Sequence, residues 1–264
     1  MLLTLLFAFL SPVLAVGLYF WLFPAASPLW LIAVAVGVFL LLCLIYLMFL
    51  VISSLFLGKK PPERYSRYAR AVIVLTVDWV LCMLRVRVKV KGRDMLPKEP
   101  FVLISNHRSA MDALAVLHAF PRRELSFIAK ASVLRWRVVG PYMYKGGFLG
   151  IERDMPLQSL RVVTRAAKLV KTGMSFGIFP EGTRTKNGRV GEFKEGAFIT
   201  AKKASCPIVI VTTEGTESIF RRLFPKVTIT VRAVLNAHEV DTHTHTELSS
   251  ICRSTICKAL GEEF

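Results

Sequence analysis

The stretch FVLISNHRSAMDAL, residues 101–114, joins two kinds of secondary structure across a short polar turn. FVLI is a continuous apolar run, which is typical of a strand that helices bury on both faces. After the turn, Ser109 and Asp112 have the spacing of a capping box, in which a serine and an acid three residues later begin a helix. The stretch therefore predicts a buried strand that leads through a turn into a helix.

The same alternation of strand and helix continues along the chain. SFGIF (175–179) and PIVIVT (207–212) are further apolar runs. RVRVKVK (85–91) alternates and predicts a half-exposed strand, and KVTITVRAV (226–234) also alternates and predicts a strand nearer an edge of the sheet. Residues 156–171 carry apolar side chains at helical spacing, which predicts an amphipathic helix. Strands that alternate with helices predict an α/β fold with a mostly parallel sheet flanked by helices.

The beginning of the chain has a different composition. The 264 residues carry a formal net charge of +17, yet no charged side chain precedes Lys59. Two apolar stretches, 1–23 and 29–57, lie in this part, and each is long enough for a helix that spans a bilayer. A cleaved signal peptide is a second interpretation of the first stretch, although this stretch lacks a basic n-region. We predict these regions: N-terminal hydrophobic membrane helices over 1–58, an interfacial or linking helix over 59–84, and a cytoplasmic α/β domain over 85–264.

A cluster of cations follows the second apolar stretch and predicts which side of the membrane the domain occupies. Lys and Arg residues next to a membrane helix tend to stay on the cytoplasmic side of the membrane. The cluster comprises Lys59, Lys60, Arg64, Arg67 and Arg70. The helix that contains its last members, 65–84, is apolar on much of its surface. It could lie in the interface or pack in the core of the domain.

His107 and Asp112 are the candidate catalytic pair. A carboxylate that accepts from one imidazole nitrogen fixes the tautomer and leaves the other nitrogen free to take a proton. Asp112 also has a structural interpretation, as the acid of the capping box. The chain has no GxSxG motif and no cysteine beside His107, so the attacking hydroxyl would come from a substrate.

FPEGTRTKNGR, residues 179–189, is a candidate anion site. A glycine turn with nearby guanidinium groups can hold a phosphate. A solvated basic hairpin is the alternative interpretation. The nucleotide motifs GxxxxGK[ST] and GxGxxG are both absent from the chain.

The sequence does not indicate a metal, a disulfide framework or a nucleic-acid partner. The five cysteines contain no CxxC pair. His243 and His245 have no Cys nearby and fit the start of a terminal helix. Single-strand binding would require aromatic residues set among cations, whereas the aromatic residues here cluster mainly in the membrane segments and apolar runs.

Taken together, NHRSAMD, GGFLGIER, FPEGTR and CPIVIV occur in the order and spacing of the sequence blocks of glycerolipid acyltransferases. The chain resembles a 1-acyl-glycerol-3-phosphate acyltransferase of the PlsC type over roughly residues 86–234. The family's last block commonly has a second proline where this chain has Ile210.

The resemblance implies roles for individual residues. His107 would be the general base and Asp112 would orient it. The residues that would bind the acceptor phosphate are Arg153, Glu181, Gly182, Thr183 and Arg184. Lys194 would lie beside this phosphate site.

The implied reaction is acyl transfer from acyl-CoA or acyl-carrier protein to the 2-hydroxyl of lysophosphatidic acid, forming phosphatidic acid. Membrane lipids would be further partners, and no metal or other cofactor is implied. Alternatives are an acyltransferase for another lysophospholipid or glycerol 3-phosphate, and a non-catalytic membrane protein that binds anionic lipid.

Overall fold

The computed structural model describes residues 2–22, 29–58, 65–121, 123–152, 154–185 and 189–262. The helices of the N-terminal half are α1 Leu2–Leu22, α2 Leu29–Phe56, α3 Arg67–Met83, α4 Asp112–Ala119 and α5 Ala131–Leu134. The later helices are α6 Val139–Lys145, α7 Pro156–Lys171, α8 Ile199–Ala204, α9 Ala237–Thr242 and α10 His245–Leu260. The strands are β1 Arg87–Lys91, β2 Val102–Ser105, β3 Leu125–Lys130, β4 Leu149–Ile151, β5 Ser175–Ile178, β6 Ile208–Glu214 and β7 Lys226–Leu235.

The strands form one sheet in the order β1-β7-β6-β2-β5-β3-β4. The strands from β6 to β4 in this order run parallel, whereas β7 is antiparallel to β6 and β1 is parallel to β7. The predicted fold, a mostly parallel sheet flanked by helices, is confirmed. The carboxyl ends of β2, β5 and β6 lie at one edge of the sheet, which we call the carboxyl edge.

Helices cover both faces of the sheet. On one face, Phe176 and Ile210 pack with Cys252 and Ile256 of α10. On the other face, Leu103 packs with α4 and with α3. This double cover explains why β2, β5 and β6 read as continuous apolar runs.

α3 packs against the domain and carries a buried cation. Arg70 donates from Nη1 to the carbonyl oxygen of Leu125 at 2.8 Å and from Nη2 to that of Arg123 at 2.6 Å. Burial lowers the pKa of the Arg70 guanidinium, but the two carbonyls satisfy its donors. Arg70 was expected in the cationic cluster beside the membrane. That expectation was wrong, because this side chain joins α3 to β3.

Two apolar helices precede α3. Trp30–Phe56 is long and apolar enough to cross a membrane by length and composition, with a mean hydropathy of 3.0. A shorter apolar helix covers Leu6–Trp21. Tyr46 of α2 hydrogen-bonds Thr76 of α3 at 2.8 Å, so the apolar pair is fastened to the domain.

Candidate active site

The polar turn after β2 is fastened to the neighbouring strand by Asn106. Its Nδ2 donates to the carbonyl oxygen of Thr213, and its Oδ1 accepts from the Thr213 N–H, both at 2.9 Å. A fully buried amide that has both partners costs little. The residue that follows, His107, is thereby held at the carboxyl edge.

The His107 ring contacts the Asp112 carboxylate, with Nδ1 and Oδ2 2.9 Å apart. The same Oδ2 accepts from the backbone N–H groups of Arg108 and Ser109, each at 2.8 Å. Asp112 is completely buried. An ionised carboxylate can only accept, so Nδ1 carries the hydrogen and Nε2 is the nitrogen that can take a proton.

The start of α4 differs in detail from the predicted capping box. The helix begins at Asp112 itself, and the Ser109 hydroxyl accepts from the Met111 N–H at 3.2 Å. Of the expected pair of bonds, the one from the Ser109 N–H to the carboxylate is formed. Asp112 therefore anchors the turn and contacts His107 with one side chain, as the sequence allowed.

Sequence reasoning missed two residues that fix this pair. The Thr216 hydroxyl donates to Asp112 Oδ1. The Phe179 ring stacks on the imidazole at 4.3 Å between centroids and 16° between planes. Phe127 stacks beneath Phe179 at 5.4 Å. Only the strand order could have indicated Thr216, because β2 and β6 are parallel neighbours and the residues that follow them meet at the carboxyl edge.

Glu181 joins the glycine turn to the histidine turn. Its Oε1 accepts from the His107 N–H at 2.7 Å, and its Oε2 accepts from the Gly191 N–H at 3.1 Å and from the Thr185 hydroxyl. The Thr185 N–H donates back to the carbonyl oxygen of His107 at 2.9 Å. Among the described residues, the buried carboxylate thus accepts from three donors. Its predicted part in substrate binding stays a prediction.

The other residues predicted for the phosphate site lie around the glycine turn. Gly182 has φ +70°, a left-handed conformation that suits glycine, and a Cβ here would lie 3.4 Å from Lys194 Nζ. Thr183 and Arg184 are exposed beside it. The structure therefore brings Gly182 and Lys194 together next to the His107 turn. Arg153 lies outside the described residues.

Ile210, which stands where the family commonly has a second proline, is completely buried in β6. It pairs with Ile104 of β2 and belongs to the core. This agrees with the interpretation of the fourth block as a core strand.

Comparison with known proteins shows which proteins the chain is similar to. The sequence model of the family described as Acyltransferase matches residues 87–214. The 1-acyl-sn-glycerol-3-phosphate acyltransferase of Borreliella burgdorferi is 30% identical over 181 residues, which are 66% of this chain and 72% of that protein. The crystal structure of the 1-acyl-sn-glycerophosphate acyltransferase PlsC from Thermotoga maritima has a TM-score of 0.64 at 23% identity, and covers 82% of this chain and 88% of that one.

Other relatives match this chain over a smaller part of their own length. A chloroplastic 1-acyl-sn-glycerol-3-phosphate acyltransferase of Brassica napus is 37% identical over 49% of this chain and 38% of its own length. The human beta form is 33% identical over 54% of this chain and 52% of its own length. The chain thus spans about half, or less, of these relatives.

The fold and the matching sequence model place the chain in the class of α/β acyltransferase-domain proteins. Within that class, it belongs to the family of 1-acyl-sn-glycerol-3-phosphate acyltransferases.

Proposed function

We propose that this protein transfers an acyl group from acyl-CoA or acyl-carrier protein to the 2-hydroxyl of 1-acyl-glycerol 3-phosphate, forming phosphatidic acid. The observation that carries the proposal is the 2.9 Å contact between His107 Nδ1 and the buried Asp112 carboxylate. This contact and the stacked Phe179 ring together hold the imidazole in its orientation. The family relationship selects the reaction.

In the proposed mechanism, His107 Nε2 takes the proton of the acceptor hydroxyl as its oxygen attacks the thioester carbonyl carbon. The C–O bond of the new ester forms and the C–S bond breaks. The imidazolium then protonates the departing thiolate, so a free thiol is released and His107 returns to its starting state. Asp112 stabilises the imidazolium during the transfer, and such base catalysis contributes about 10²- to 10⁴-fold. No metal or cofactor takes part in this scheme.

The acceptor's phosphate would lie against the glycine turn. Arg184 and Lys194 are exposed cations on this turn and its neighbour, and the backbone at Gly182 allows close approach. Arg153 and Thr183 complete the proposed set. Glu181 would contribute indirectly to phosphate binding, because its carboxylate holds the glycine turn against the His107 backbone.

We further propose that α1 and α2 anchor the chain in a membrane as a hairpin or as separate spans, with the domain on the cytoplasmic side. The support is the apolar length of α2 and the cations that follow it: Lys59, Lys60, Arg64 and Arg67. The acceptor would then reach the site from the lipid surface.

The decisive test is release of free thiol from acyl-CoA by the detergent-purified protein with a panel of acceptors. We expect turnover with 1-acyl-glycerol 3-phosphate, and a loss of at least about 10²-fold in His107→Ala. His118 is a matched control, because its Nδ1 lies 2.6 Å from Asp78 in a second His–Asp pair that the mechanism does not use. His118→Ala should keep turnover.

Equal turnover in His107→Ala and the unsubstituted protein would refute the assignment of the base. Turnover only with another lysophospholipid or with glycerol 3-phosphate would refute the proposed acceptor but would agree with the proposed acyl-transfer reaction. Acyl-carrier protein, supplied as its acyl thioester, distinguishes the donors in the same assay.

A further inference from the structure

The loop that joins β6 to β7 holds large apolar side chains out in solvent. In this β6–β7 loop, residues 215–225, Phe220 is 74% exposed, Leu223 66% and Phe224 54%. Removing such side chains from water is favourable, so an exposed group of them marks a surface that meets an apolar partner.

The loop is held in its shape by the fold. Ile219 is buried, and the Arg222 N–H donates to the carbonyl oxygen of Ser218 at 3.0 Å. At the other end, the carbonyl oxygen of Pro225 accepts from the Arg87 N–H at 2.9 Å. The apolar side chains therefore stay outside the core because the backbone that carries them is fixed.

Cations surround these apolar side chains. Arg221 and Arg222 lie between Phe220 and Leu223 in the sequence, and both are exposed. The Arg85 guanidinium lies over the Phe224 ring, 5.8 Å from its centroid. Apolar and aromatic side chains interleaved with arginines suit an anionic lipid surface, where the rings enter the interface and the cations meet headgroup phosphates.

The loop lies beside the catalytic pair. It leaves β6 at the carboxyl edge, and its Thr216 donates to Asp112. Phe220 follows four residues later, so its Cα is at most about 14 Å from that of Thr216. A surface that rests on Phe220 therefore lies within about 14 Å of the residue that contacts Asp112.

The apolar helices extend toward the same side of the domain. Ser53 of α2 contacts Tyr68, and Tyr46 stacks edge-on with Trp79 at 5.4 Å, so α2 and α3 run antiparallel. α3 ends at Met83, shortly before Arg85. At 1.5 Å per residue, the part of α2 before Tyr46 extends up to about 20 Å beyond that end. The exposed loop and the apolar helices thus share one side.

We propose that Phe220, Leu223 and Phe224, with Arg85, Arg221 and Arg222, dock into the headgroup region of an anionic bilayer. This surface adds a second membrane contact to that of α2 and presents the carboxyl edge to the lipid. The docking itself is independent of the acceptor. Its use in bringing lipid to His107 rests on the proposed function.

The test uses the full chain reconstituted in vesicles of phosphatidylcholine and phosphatidylglycerol that contain nitroxide-labelled lipid. A fluorophore is attached at Phe220→Cys, in a background where Cys43 and Cys82 are alanine. Met95→Cys is the matched control. It is an exposed apolar residue, 44% accessible, and it lies beyond the opposite end of β1 from Arg85.

We expect the lipid nitroxide to quench the label at 220 severalfold more than the label at 95. The quenching at 220 should fall when phosphatidylcholine replaces phosphatidylglycerol, or when Arg221 and Arg222 are both changed to glutamate. Equal, weak quenching at the two positions would overturn the proposal. If quenching at 220 is the same with and without phosphatidylglycerol, the role proposed for the arginines is overturned. Because quenching needs no turnover, this result is separate from the thiol-release assay.

Discussion

Replacing Thr216 with valine tests whether the Asp112 carboxylate must be held from both sides. The change keeps the shape of a side chain that is 1% exposed and removes the hydroxyl that donates to Asp112 Oδ1. A hydrogen bond to a charged group is worth about 1.5–3 kcal/mol. The bonds to Oδ2 from the His107 ring and from the backbone of Arg108 and Ser109 remain. The carboxylate should therefore stay in place but lose its fixed orientation.

If that orientation is needed when the imidazolium forms, the lost energy appears in the activation barrier. At 1.36 kcal/mol per tenfold in rate, Thr216→Val should lower kcat by about 10- to 150-fold. KM for the acceptor should change little, because the hydroxyl donates to Asp112 and is not part of the proposed phosphate site. Thr216→Ser keeps the donor and should restore most of kcat.

Ser218→Ala is the control for a purely structural effect. It removes a bond of 2.7 Å, from the Ser218 hydroxyl to the carbonyl oxygen of Gly215, within the same short turn. Steady-state kinetics and thermal unfolding on all three variants separate the possibilities. Full kcat in Thr216→Val, or a loss of kcat in Ser218→Ala as large as that in Thr216→Val, would refute the reasoning.

Three further predictions concern stability and reactivity. Glu181→Gln should lower the free energy of unfolding by about 1–3 kcal/mol, since an amide cannot accept from all the N–H and O–H groups that the carboxylate serves; an unchanged Tm would contradict this. Gly177→Ala should also destabilise the fold by about 1–3 kcal/mol in urea unfolding, because its Cβ would lie 2.2 Å from a ring atom of the neighbouring phenylalanine in β3. Gly196→Ala, with nothing within 4 Å, is its control, and equal losses in the two would refute the clash. Burial raises the pKa of the Cys206 thiol to about 12, so maleimide should label it only after unfolding, and rapid labelling of the native protein would be the contrary result. Because this pKa lies above the thiol's ordinary value of 9.0, the thiol's contribution to stability is present below about pH 9 and is lost as the pH rises toward 12.

The sequence predicted those parts of the fold that one segment determines by itself. α7 was expected over 156–171 and occupies Pro156–Lys171, because its apolar face and charged face alternate within one helix. β4 was not predicted, since Leu149–Ile151 is too short for a periodic pattern. Arg70 was misplaced for a different reason. Its burial depends on carbonyl groups of Arg123 and Leu125, and no local pattern reports such a partner.

The site shows the same division between local and distant determinants. His107 and Asp112 are five positions apart on one turn, so their spacing predicted a contact that the structure has. The groups that fix them come from elsewhere: Phe179 follows β5 and Thr216 follows β6. Only the order of the strands brings these ends to one edge.

This arrangement decides which substitutions can inform on mechanism. Asp112 begins α4, ties down two backbone N–H groups of the preceding turn and contacts the His107 ring. A change at Asp112 therefore disturbs the helix start and the catalytic pair together, and lost activity would not say which mattered. Thr216 touches the carboxylate from outside that turn, through a single hydroxyl. Because its removal leaves the other bonds of Asp112 in place, Thr216 is where orientation of the carboxylate can be separated from folding of the turn.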